Sequence, residues 1–359
     1  DQNVKMLGMG LTKKLTDAGV DIIEGKGALV GEHEVQVGDT TYQADDIVLA
    51  HGTRSLFLSI MQRGKYVISS REILDLPAIP KSLCIIGGGV TGVEMASIFA
   101  ALGTKVTIIE KQTALLPTQD KEIAEHLQRS LEKKGCDIHV DSQVFSATDG
   151  DGKALIHFCK ANGEEEHIEA DYALVCIGRV PNYDLEELAK VGIRNNGKHV
   201  QLCEDHYHTS LPHVYMIGDT VLKHMTAYAA EREGMVVAKR MLGDEITVQY
   251  VDIPVTVFSP PEVGSIGLTE VQAQATRLDY EVKKSPYSVN AKAVILGERE
   301  GLTKIIVEKA TQKILGVHII GAGASDLAHQ AFLVVMQGLT VQEWLQVVWS
   351  HPVISEVFK

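Results

Sequence analysis

Three glycines and one carboxylate have the residue types and the spacing needed to bind a dinucleotide. Gly87, Gly89 and Gly92 form the pattern GxGxxG, and Glu110 follows them in the sequence. In this pattern the first glycine permits a tight turn, the second lets the backbone approach a pyrophosphate, and the third lets a helix pack closely on a strand. A carboxylate about 20 residues further on accepts hydrogen bonds from ribose hydroxyls and repels a 2′-phosphate. The sequence therefore predicts a site for NAD rather than NADP.

The elements that must position these residues are also readable. An apolar run over 83–86 predicts a buried parallel strand, and 93–102 has the apolar face of a helix that Gly103 ends. A second apolar strand is predicted over 105–109, with Glu110 at its tip. A glycine-rich turn in an unrelated α/β fold is the alternative, which this order of strand, helix and acid disfavours.

Composition limits the classes of function. A chain of 359 residues should hold two or three domains, and its net charge of −13 argues against nucleic acid or an anionic membrane surface as a partner. Neither an apolar run long enough to span a membrane nor a secretory signal is present. The cysteines are scattered without a CxxC pair, which disfavours both a zinc site and a disulfide framework.

Two further clusters raise the question of a metal, and the sequence predicts none. The run 149–152, DGDG, begins like a calcium loop, but Lys153 stands where a ligand should be and no bidentate glutamate ends the run. It is interpreted as a hairpin turn. His206, His208 and His213 have no companion carboxylate or cysteine at ligand spacing, so loop histidines are the better interpretation.

The remaining patterns predict a mixed architecture. Before the glycine motif we expect a helix over 1–17, a strand over 20–24, a β-meander over 26–42, a strand over 47–50 and a connector over 55–80. After Glu110, further strands are expected over 136–140, 143–148, 154–160, 166–169, 171–177 and 214–217, with helices over 121–134 and 226–242. From residue 251 the pattern becomes α+β, with strands over 255–258, 280–285, 302–308 and 314–320 and helices over 269–275, 324–336 and 341–348.

Five motifs in a fixed order resemble the flavoprotein disulfide reductase family, and within it the dihydrolipoamide dehydrogenases. They are AHGTR (50–54), GGGVTGVE (87–94), GRVPN (178–182), VYMIGDT (214–220) and HPVISE (351–356). The resemblance extends over essentially the whole chain. It implies an α/β fold in which a Rossmann-like NAD-binding domain is inserted into a partial Rossmann-like FAD-binding domain. An α+β dimerisation domain follows.

The resemblance also implies domain limits and cofactor contacts. The expected segments are 1–62 and 191–248 for the FAD-binding domain, 63–190 for NAD binding and 249–359 for dimerisation. Asp219 would accept a hydrogen bond from a ribityl hydroxyl of FAD. Glu94 would be a catalytic residue near the nicotinamide and the flavin, and Arg179 would lie near the nicotinamide edge. The helix beginning near residue 226 would direct its amides at the flavin. The other implied contacts come from Gly52, Gly178, Gly218, Met225, Thr226 and Ala227.

The last motif implies acid–base chemistry. A histidine five residues before a glutamate can fold back so that the carboxylate orients the imidazole, although a surface His and a capping Glu are the simpler interpretation of the pair alone. By resemblance, His351 and Glu356 form a dyad that reaches across a homodimer interface, and His351 takes a proton from a substrate dithiol. The implied activity is NAD-dependent oxidation of dihydrolipoamide through FAD. The implied partners are the lipoyl domains of a 2-oxo acid dehydrogenase complex, in the cytoplasm or the mitochondrial matrix.

Departures from the family pattern keep alternatives open. His51 stands where the family usually has threonine, and Trp349 where dihydrolipoamide dehydrogenases usually have a second histidine. An N-terminal FAD-binding GxGxxG and a redox-active CxxxxC are both missing from this chain. We therefore expect a truncated form that lacks roughly the first hundred residues, does not perform the dithiol step, and retains FAD only if the rest of the flavin site suffices. Two alternatives stay open: another member of the family (glutathione reductase-like, mercuric reductase-like or transhydrogenase-like), and a non-catalytic NAD-binding dimerisation module.

Overall fold

The computed structural model of this chain describes residues 2–203, 207–244, 246–247 and 253–359. His206 of the histidine cluster lies outside these ranges. The chain divides into two compact units, one formed by 1–52 with 181–246 and the other by 53–180 with 247–359. The four domain segments expected from the sequence are a finer division than this and stay a prediction.

Helices and strands alternate in a mixed α/β arrangement, as expected. The helices are α1 (Gln2–Asp17), α2 (Val90–Ala101), α3 (Lys121–Lys133), α4 (Leu185–Lys190), α5 (Ala227–Met241), α6 (Glu270–Ala275), α7 (Ala291–Leu296), α8 (Ala324–Met336) and α9 (Val341–Leu345). Short 3-10 turns lie at Glu72–Asp75, Gly218–Val221, Tyr287–Val289 and Ile354–Phe358.

The strands belong to several separate sheets. In the first half they are β1 (Gly27–Gly31), β2 (Glu34–Val37), β3 (Thr40–Gln43), β4 (Ile47–Leu49), β5 (Thr53–Ser55), β6 (Val67–Ile68), β7 (Ser82–Ile86), β8 (Lys105–Ile109), β9 (Asp137–His139) and β10 (Gln143–Asp149). They continue with β11 (Ala154–Cys159), β12 (Glu165–Ala170), β13 (Tyr172–Val175), β14 (Arg179–Pro181), β15 (Val214–Met216), β16 (Val255–Val257), β17 (Glu262–Gly267), β18 (Tyr280–Pro286), β19 (Leu302–Glu308) and β20 (Ile314–Gly321).

The unit formed by 1–52 and 181–246 contains two small sheets. The meander β1-β2-β3 is antiparallel, and β4 pairs in parallel with β15, with Val48 opposite Tyr215. Ile47, Leu49, Val214 and Met216 bury their side chains in the core of this unit. The pairing of β4 with β15 brings the carboxyl ends of two distant segments together, and the turns that follow both strands carry expected flavin contacts.

The unit formed by 53–180 and 247–359 contains the larger sheets. A parallel sheet has the order β6-β13-β7-β8-β9, and an antiparallel sheet of β10-β11-β12 follows β9 in the chain. Strand β7 is buried at Leu83, Cys84, Ile85 and Ile86, as expected for a strand covered on both faces. The C-terminal segment forms an antiparallel sheet in the order β16-β17-β20-β19-β18, against which α8 packs.

Several expected elements differ from the structure. The strand expected over 20–24 was wrong: those residues are in no strand, Val20, Ile22 and Ile23 are half exposed, and no strand among the described residues pairs with them. Strand β17 was not expected, since its glycines have low β-propensity. A Cβ on Gly264 would lie 2.2 Å from the carbonyl oxygen of Ala324, so the close approach of α8 requires glycine there.

Smaller differences concern element limits. Helix α2 begins at Val90 rather than at residue 93, and α9 ends at Leu345 rather than at 348. The expected connector over 55–80 contains β6, which joins the parallel sheet beside β13. Helices α4 and α7, each of six residues, were not expected either. Among the described residues, no helix is both long and apolar enough to cross a bilayer.

Candidate functional site

The three glycines of the motif have different physical roles in the turn between β7 and α2. Gly87 has a φ of +112°, and a Cβ there would lie 2.6 Å from the carbonyl oxygen of Cys176. A Cβ on Gly92 would lie 2.0 Å from the carbonyl oxygen of Gly87, so the helix could not pack against this turn with a larger residue. Gly89 has no atom within 4 Å of its Cβ position. Two glycines are therefore needed for packing, whereas the third borders open space that a ligand can use.

The N-terminus of α2 has the properties of an anion site. Gly89 is its N-cap, no side chain caps the helix, and its first turn contains no acidic residue. The first N–H groups of a helix have no partner within the helix, and they lie at its positive end. A pyrophosphate fits this combination of unpaired donors and a bare Gly89 backbone.

Glu110 is buried, with 8% of its surface exposed, and it holds the glycine turn. Its Oε2 accepts the N–H of Gly88 at 2.6 Å, and its Oε1 accepts the N–H of Gln112 at 2.6 Å. The sequence pattern predicts only a ribose contact for Glu110, because its spacing from the glycines does not reveal these backbone hydrogen bonds. Each carboxylate oxygen has a second lone pair, so these bonds leave capacity for a ribose hydroxyl. Ribose recognition by Glu110 stays a prediction.

The residues expected near the nicotinamide make contacts within the protein. Oε1 of Glu94, on α2, accepts the N–H of Phe258 at 2.9 Å. Arg179 donates from Nε to Oγ1 of Thr53 at 2.6 Å and from Nη2 to the Thr53 carbonyl oxygen at 2.9 Å. Gly178, with a φ of +142°, has no atom within 4 Å of its Cβ position. Their contacts with the nicotinamide stay a prediction.

The turns expected to contact FAD are built around a buried carboxylate. Gly218 has a φ of +69°, and its N–H donates to Oε2 of Glu233 at 2.5 Å. Glu233, on α5, is fully buried. The N–H of Gly52 donates to Oγ1 of Thr220 at 2.9 Å, which links the turn after β4 to the turn after β15. Asp219 thus lies in a turn that hydrogen bonds of both neighbouring residues hold in place. No local sequence pattern predicts the role of Glu233.

The start of α5 carries a second set of expected flavin contacts. Thr226 is the N-cap, but its side chain does not cap the helix, and its buried Oγ1 has no hydrogen-bond partner among the residues that the structure describes. Ala227 begins the helix, and Met225 before it is 46% exposed. A buried hydroxyl without a partner beside the open end of a helix fits a ligand that presents hydrogen-bonding atoms, as a flavin pyrimidine does.

His351 and Glu356 come together as the sequence suggested they could. Nδ1 of His351 lies 3.0 Å from Oε2 and 3.2 Å from Oε1 of Glu356. The imidazole side chain is 66% exposed, whereas the carboxylate is only 12% exposed. Lys359, the N–H of Val353 and His351 all bond Glu356 and lower the pKa of its carboxyl to about 2. An ionised carboxylate thus fixes the ring through Nδ1 and leaves Nε2 to take up a proton.

Comparison with known proteins gives the context for this geometry. Residues 2–234 match the pyridine nucleotide-disulphide oxidoreductase model, and residues 253–359 match the dimerisation domain of the same proteins. The chain belongs to the pyridine nucleotide-disulphide oxidoreductase family.

Individual relatives agree with this assignment. The mitochondrial dihydrolipoyl dehydrogenase of Pisum sativum is 34% identical over 100% of this chain and 73% of its own length. The dihydrolipoyl dehydrogenase of Geobacillus stearothermophilus is 33% identical over 99% of this chain and 76% of its own length. Among solved structures, the HOCl-induced flavoprotein disulfide reductase RclA from Escherichia coli has a TM-score of 0.90 at 26% identity, covering 99% of this chain and 82% of RclA.

Family membership decides part of what the sequence predicted. It confirms the oxidoreductase class, the mixed α/β fold, the use of NAD and FAD, and the presence of a dimerisation domain. The individual roles of the site residues stay predictions, because no comparison tests them. Within the ranges that the structure describes, no group of three or more His, Cys, Asp or Glu side chains is arranged to hold a metal ion.

Proposed function

We propose that this chain supplies NAD binding and proton transfer in an oxidoreductase that couples oxidation of a dihydrolipoamide-type dithiol to reduction of NAD+; the dithiol step itself is not expected of this chain, whose sequence contains no CxxxxC pair. The observation that carries the proposal is the uncapped N-terminus of α2, with bare backbone at Gly89 and the carboxylate of Glu110 beside the turn. When bound, FAD would supply the electron carrier between the dithiol and NAD+; in the overall reaction the dithiol becomes a disulfide, NAD+ becomes NADH and one proton is released.

The protein groups supply binding and proton transfer in this scheme. The backbone from Gly87 to Gly92 and the first turn of α2 hold the pyrophosphate of NAD, and Glu110 selects an unphosphorylated ribose. His351 accepts the proton of the substrate thiol at Nε2, while Glu356 holds Nδ1–H and stabilises the imidazolium. The thiols of Cys84 and Cys176 do not act as nucleophiles, because burial raises their pKa to about 12.

Residues of the unit formed by 1–52 and 181–246 hold the flavin in this proposal. Asp219 accepts from a ribityl hydroxyl, and the amides of residues 225–227 face the pyrimidine of the ring. Gly52 and Gly218 provide the tight turns that bring these groups to the ends of β4 and β15. In the other unit, Glu94, Gly178 and Arg179 border the nicotinamide. A yellow protein with a flavin absorbance band and one FAD per chain supports these roles, and a colourless protein after FAD addition contradicts them.

We further propose a homodimer in which the dyad of one protomer completes the site of its partner. Support comes from the dimerisation domain over 253–359 and from the exposed imidazole of His351. The proposed macromolecular partners are lipoyl domains of a 2-oxo acid dehydrogenase complex, in the cytoplasm or in the mitochondrial matrix. Sedimentation of the unmutated chain tests the dimer, and a monomer at micromolar concentration removes this part of the proposal.

Nucleotide selectivity is the direct test of the binding site. We expect the unmutated chain to bind NAD at least about tenfold more tightly than NADP, a difference of about 1.4 kcal/mol. Glu110→Ala should reduce this ratio, because it removes both the ribose acceptor and the acceptor of two backbone N–H groups. Titration of intrinsic fluorescence with each nucleotide measures the ratio.

Glu125 on α3, whose side chain is 45% exposed, provides a matched control, since Glu125→Ala removes a carboxylate that does not belong to the turn. It should leave the ratio unchanged. Equal affinities for NAD and NADP in the unmutated chain contradict the role of Glu110.

A further inference from the structure

Lys304 is a buried cation that the proposed reaction does not use. It lies on β19 in the C-terminal segment, and only 2% of its side chain is exposed. Its Nζ lies 2.9 Å from Oδ1 of Asp120, 2.7 Å from Oε2 of Glu270 and 3.4 Å from Oε2 of Glu122. A buried ammonium is costly unless such partners surround it. Lys304 is therefore held in one position by carboxylates from two segments of the chain.

Asp120 is a partner of Lys304 that lies in the expected NAD-binding segment 63–190, and its side chain is 1% exposed. Besides binding Lys304, Oδ1 accepts the N–H of Glu122 and caps α3, while Oδ2 accepts the N–H of Glu270 at 3.2 Å. Burial raises the pKa of the Asp120 carboxyl, but the hydrogen bonds from Lys304 and from the N–H of Glu270, together with nearby positive charge, outweigh burial and hold this pKa below its usual value. One carboxylate thus connects α3 with α6 and β19.

The loop that ends at Asp120 begins at the glycine turn. Residues 111–119 follow Glu110, which accepts the N–H of Gly88. In mid-loop, the N–H of Leu116 donates to the carbonyl oxygen of Gly88 at 2.9 Å. Leu115 packs against the same residue, since a Cβ on Gly88 would lie 2.5 Å from its Cδ2 atom. Both backbone groups of Gly88 are thus held by one segment, whose far end is fixed by Lys304.

We propose that Lys304 is a positioning residue for the nucleotide site, acting through Asp120 and the 111–119 loop on Gly88. The proposal rests on the function assigned above to the glycine turn. A continuous path of hydrogen bonds and packing contacts then connects Lys304, in the sheet of the dimerisation domain, with the N-terminus of α2. Loss of the ammonium leaves Asp120 buried without its counter-charge, so the loop end must move or hydrate, and the turn at Gly88 loses its fixed geometry.

Backbone hydrogen exchange without nucleotide tests the path directly. In Lys304→Met, which keeps the length of the side chain and removes its charge, exchange should become at least fivefold faster in residues 87–92 and 111–119. Lys309→Met is the matched control, because Lys309 forms a 2.7 Å ion pair with Asp279 in the same domain, and both side chains are largely exposed. It should leave both segments unchanged. Unchanged exchange at 87–92 in Lys304→Met overturns the proposal whatever the chain binds.

Measurements of nucleotide affinity then show whether Lys304 positions the glycine turn or only stabilises the fold. NAD should bind at least fivefold more weakly to Lys304→Met than to the unmutated chain, with no change in Lys309→Met. The double variant Asp120→Asn/Lys304→Met removes the unpaired charge, so thermal stability should recover. Affinity should not recover, because the ion pair that fixes the loop end is still absent. Recovery of affinity together with stability means a purely structural role and overturns the proposal.

The same data separate failure of this proposal from failure of the proposed function. If the unmutated chain does not bind NAD, the proposed function fails, while the exchange comparison still decides whether Lys304 holds the turn. If Lys304→Met does not fold, the double variant carries both measurements.

Discussion

Helices α1 and α2 both contain interior glycines, but their surroundings are opposite. None of the 16 residues of α1 is buried, and a Cβ on its Gly8 would have no atom within 4 Å. In α2, Gly92, Val93, Ala96, Ser97 and Phe99 are buried, and a Cβ on Gly92 would meet the Gly87 carbonyl oxygen at 2.0 Å. A glycine inside a helix is therefore structurally required only where another part of the chain packs against its Cβ position. A glycine-to-alanine substitution should therefore lower the stability of the protein at Gly92 in α2 and raise it at Gly8 in α1.

Gly92→Ala should give the largest effect. The added methyl group overlaps a backbone carbonyl, which cannot move without displacing β7 or α2, so we expect a loss of about 3 kcal/mol in the free energy of unfolding. NAD binding should be lost as well, because the turn is displaced. Urea denaturation and a nucleotide titration measure both quantities. A loss below about 0.5 kcal/mol, the usual range for a surface substitution, would show that the turn is not packed as described.

Gly89→Ala should affect binding and spare stability. Gly89 has a φ of −73° and open space at its Cβ position, so alanine fits the backbone, and stability should change by less than about 0.5 kcal/mol. The methyl group would occupy the approach of the pyrophosphate, and NAD affinity should fall about tenfold, or about 1.4 kcal/mol. Calorimetric titration checks this. Undiminished affinity would mean that the nucleotide does not use the α2 N-terminus.

Gly8→Ala should give the smallest effect and the opposite sign. With no atom near its Cβ position, alanine improves the helix propensity of α1 and should stabilise it by about 0.5 to 1 kcal/mol. The thermal unfolding midpoint measures the change. A lower midpoint would show that another surface covers α1 at Gly8 in solution.

Local sequence patterns were sufficient to predict those helices and strands whose apolar residues are buried in the fold. Strands β7 and β8 and helices α3 and α8 lie within one residue of the limits predicted from apolar periodicity. The contact of His351 with Glu356 followed from a spacing of five residues. The strand expected over 20–24 failed because an apolar run does not reveal whether a neighbouring strand is available to pair with it.

Contacts between distant residues could not be predicted from one sequence. Lys304 and Asp120 are 184 positions apart, and neither has a local pattern that names the other. Asp149 was expected only as part of a turn, yet its carboxylate accepts the N–H groups of Lys65, Tyr66 and Val67. The role of Glu233 at Gly218 could not be predicted for the same reason, since the two residues are 15 positions apart. Tertiary packing determines which distant residues become hydrogen-bond partners, so these contacts are visible only in the folded structure.

The strand order of the parallel sheet has a consequence for synthesis of the chain. Strand β13 lies between β6 and β7, so β6 has no partner in the sheet until about one hundred further residues have left the ribosome. Gly87 packs against the carbonyl oxygen of Cys176, which follows β13, so the glycine turn also waits for that strand. At about 5 to 20 residues per second, this interval lasts on the order of ten seconds. During it, the edge of β7 that β13 will fill has no neighbouring strand, and an unpaired strand edge of this kind favours aggregation.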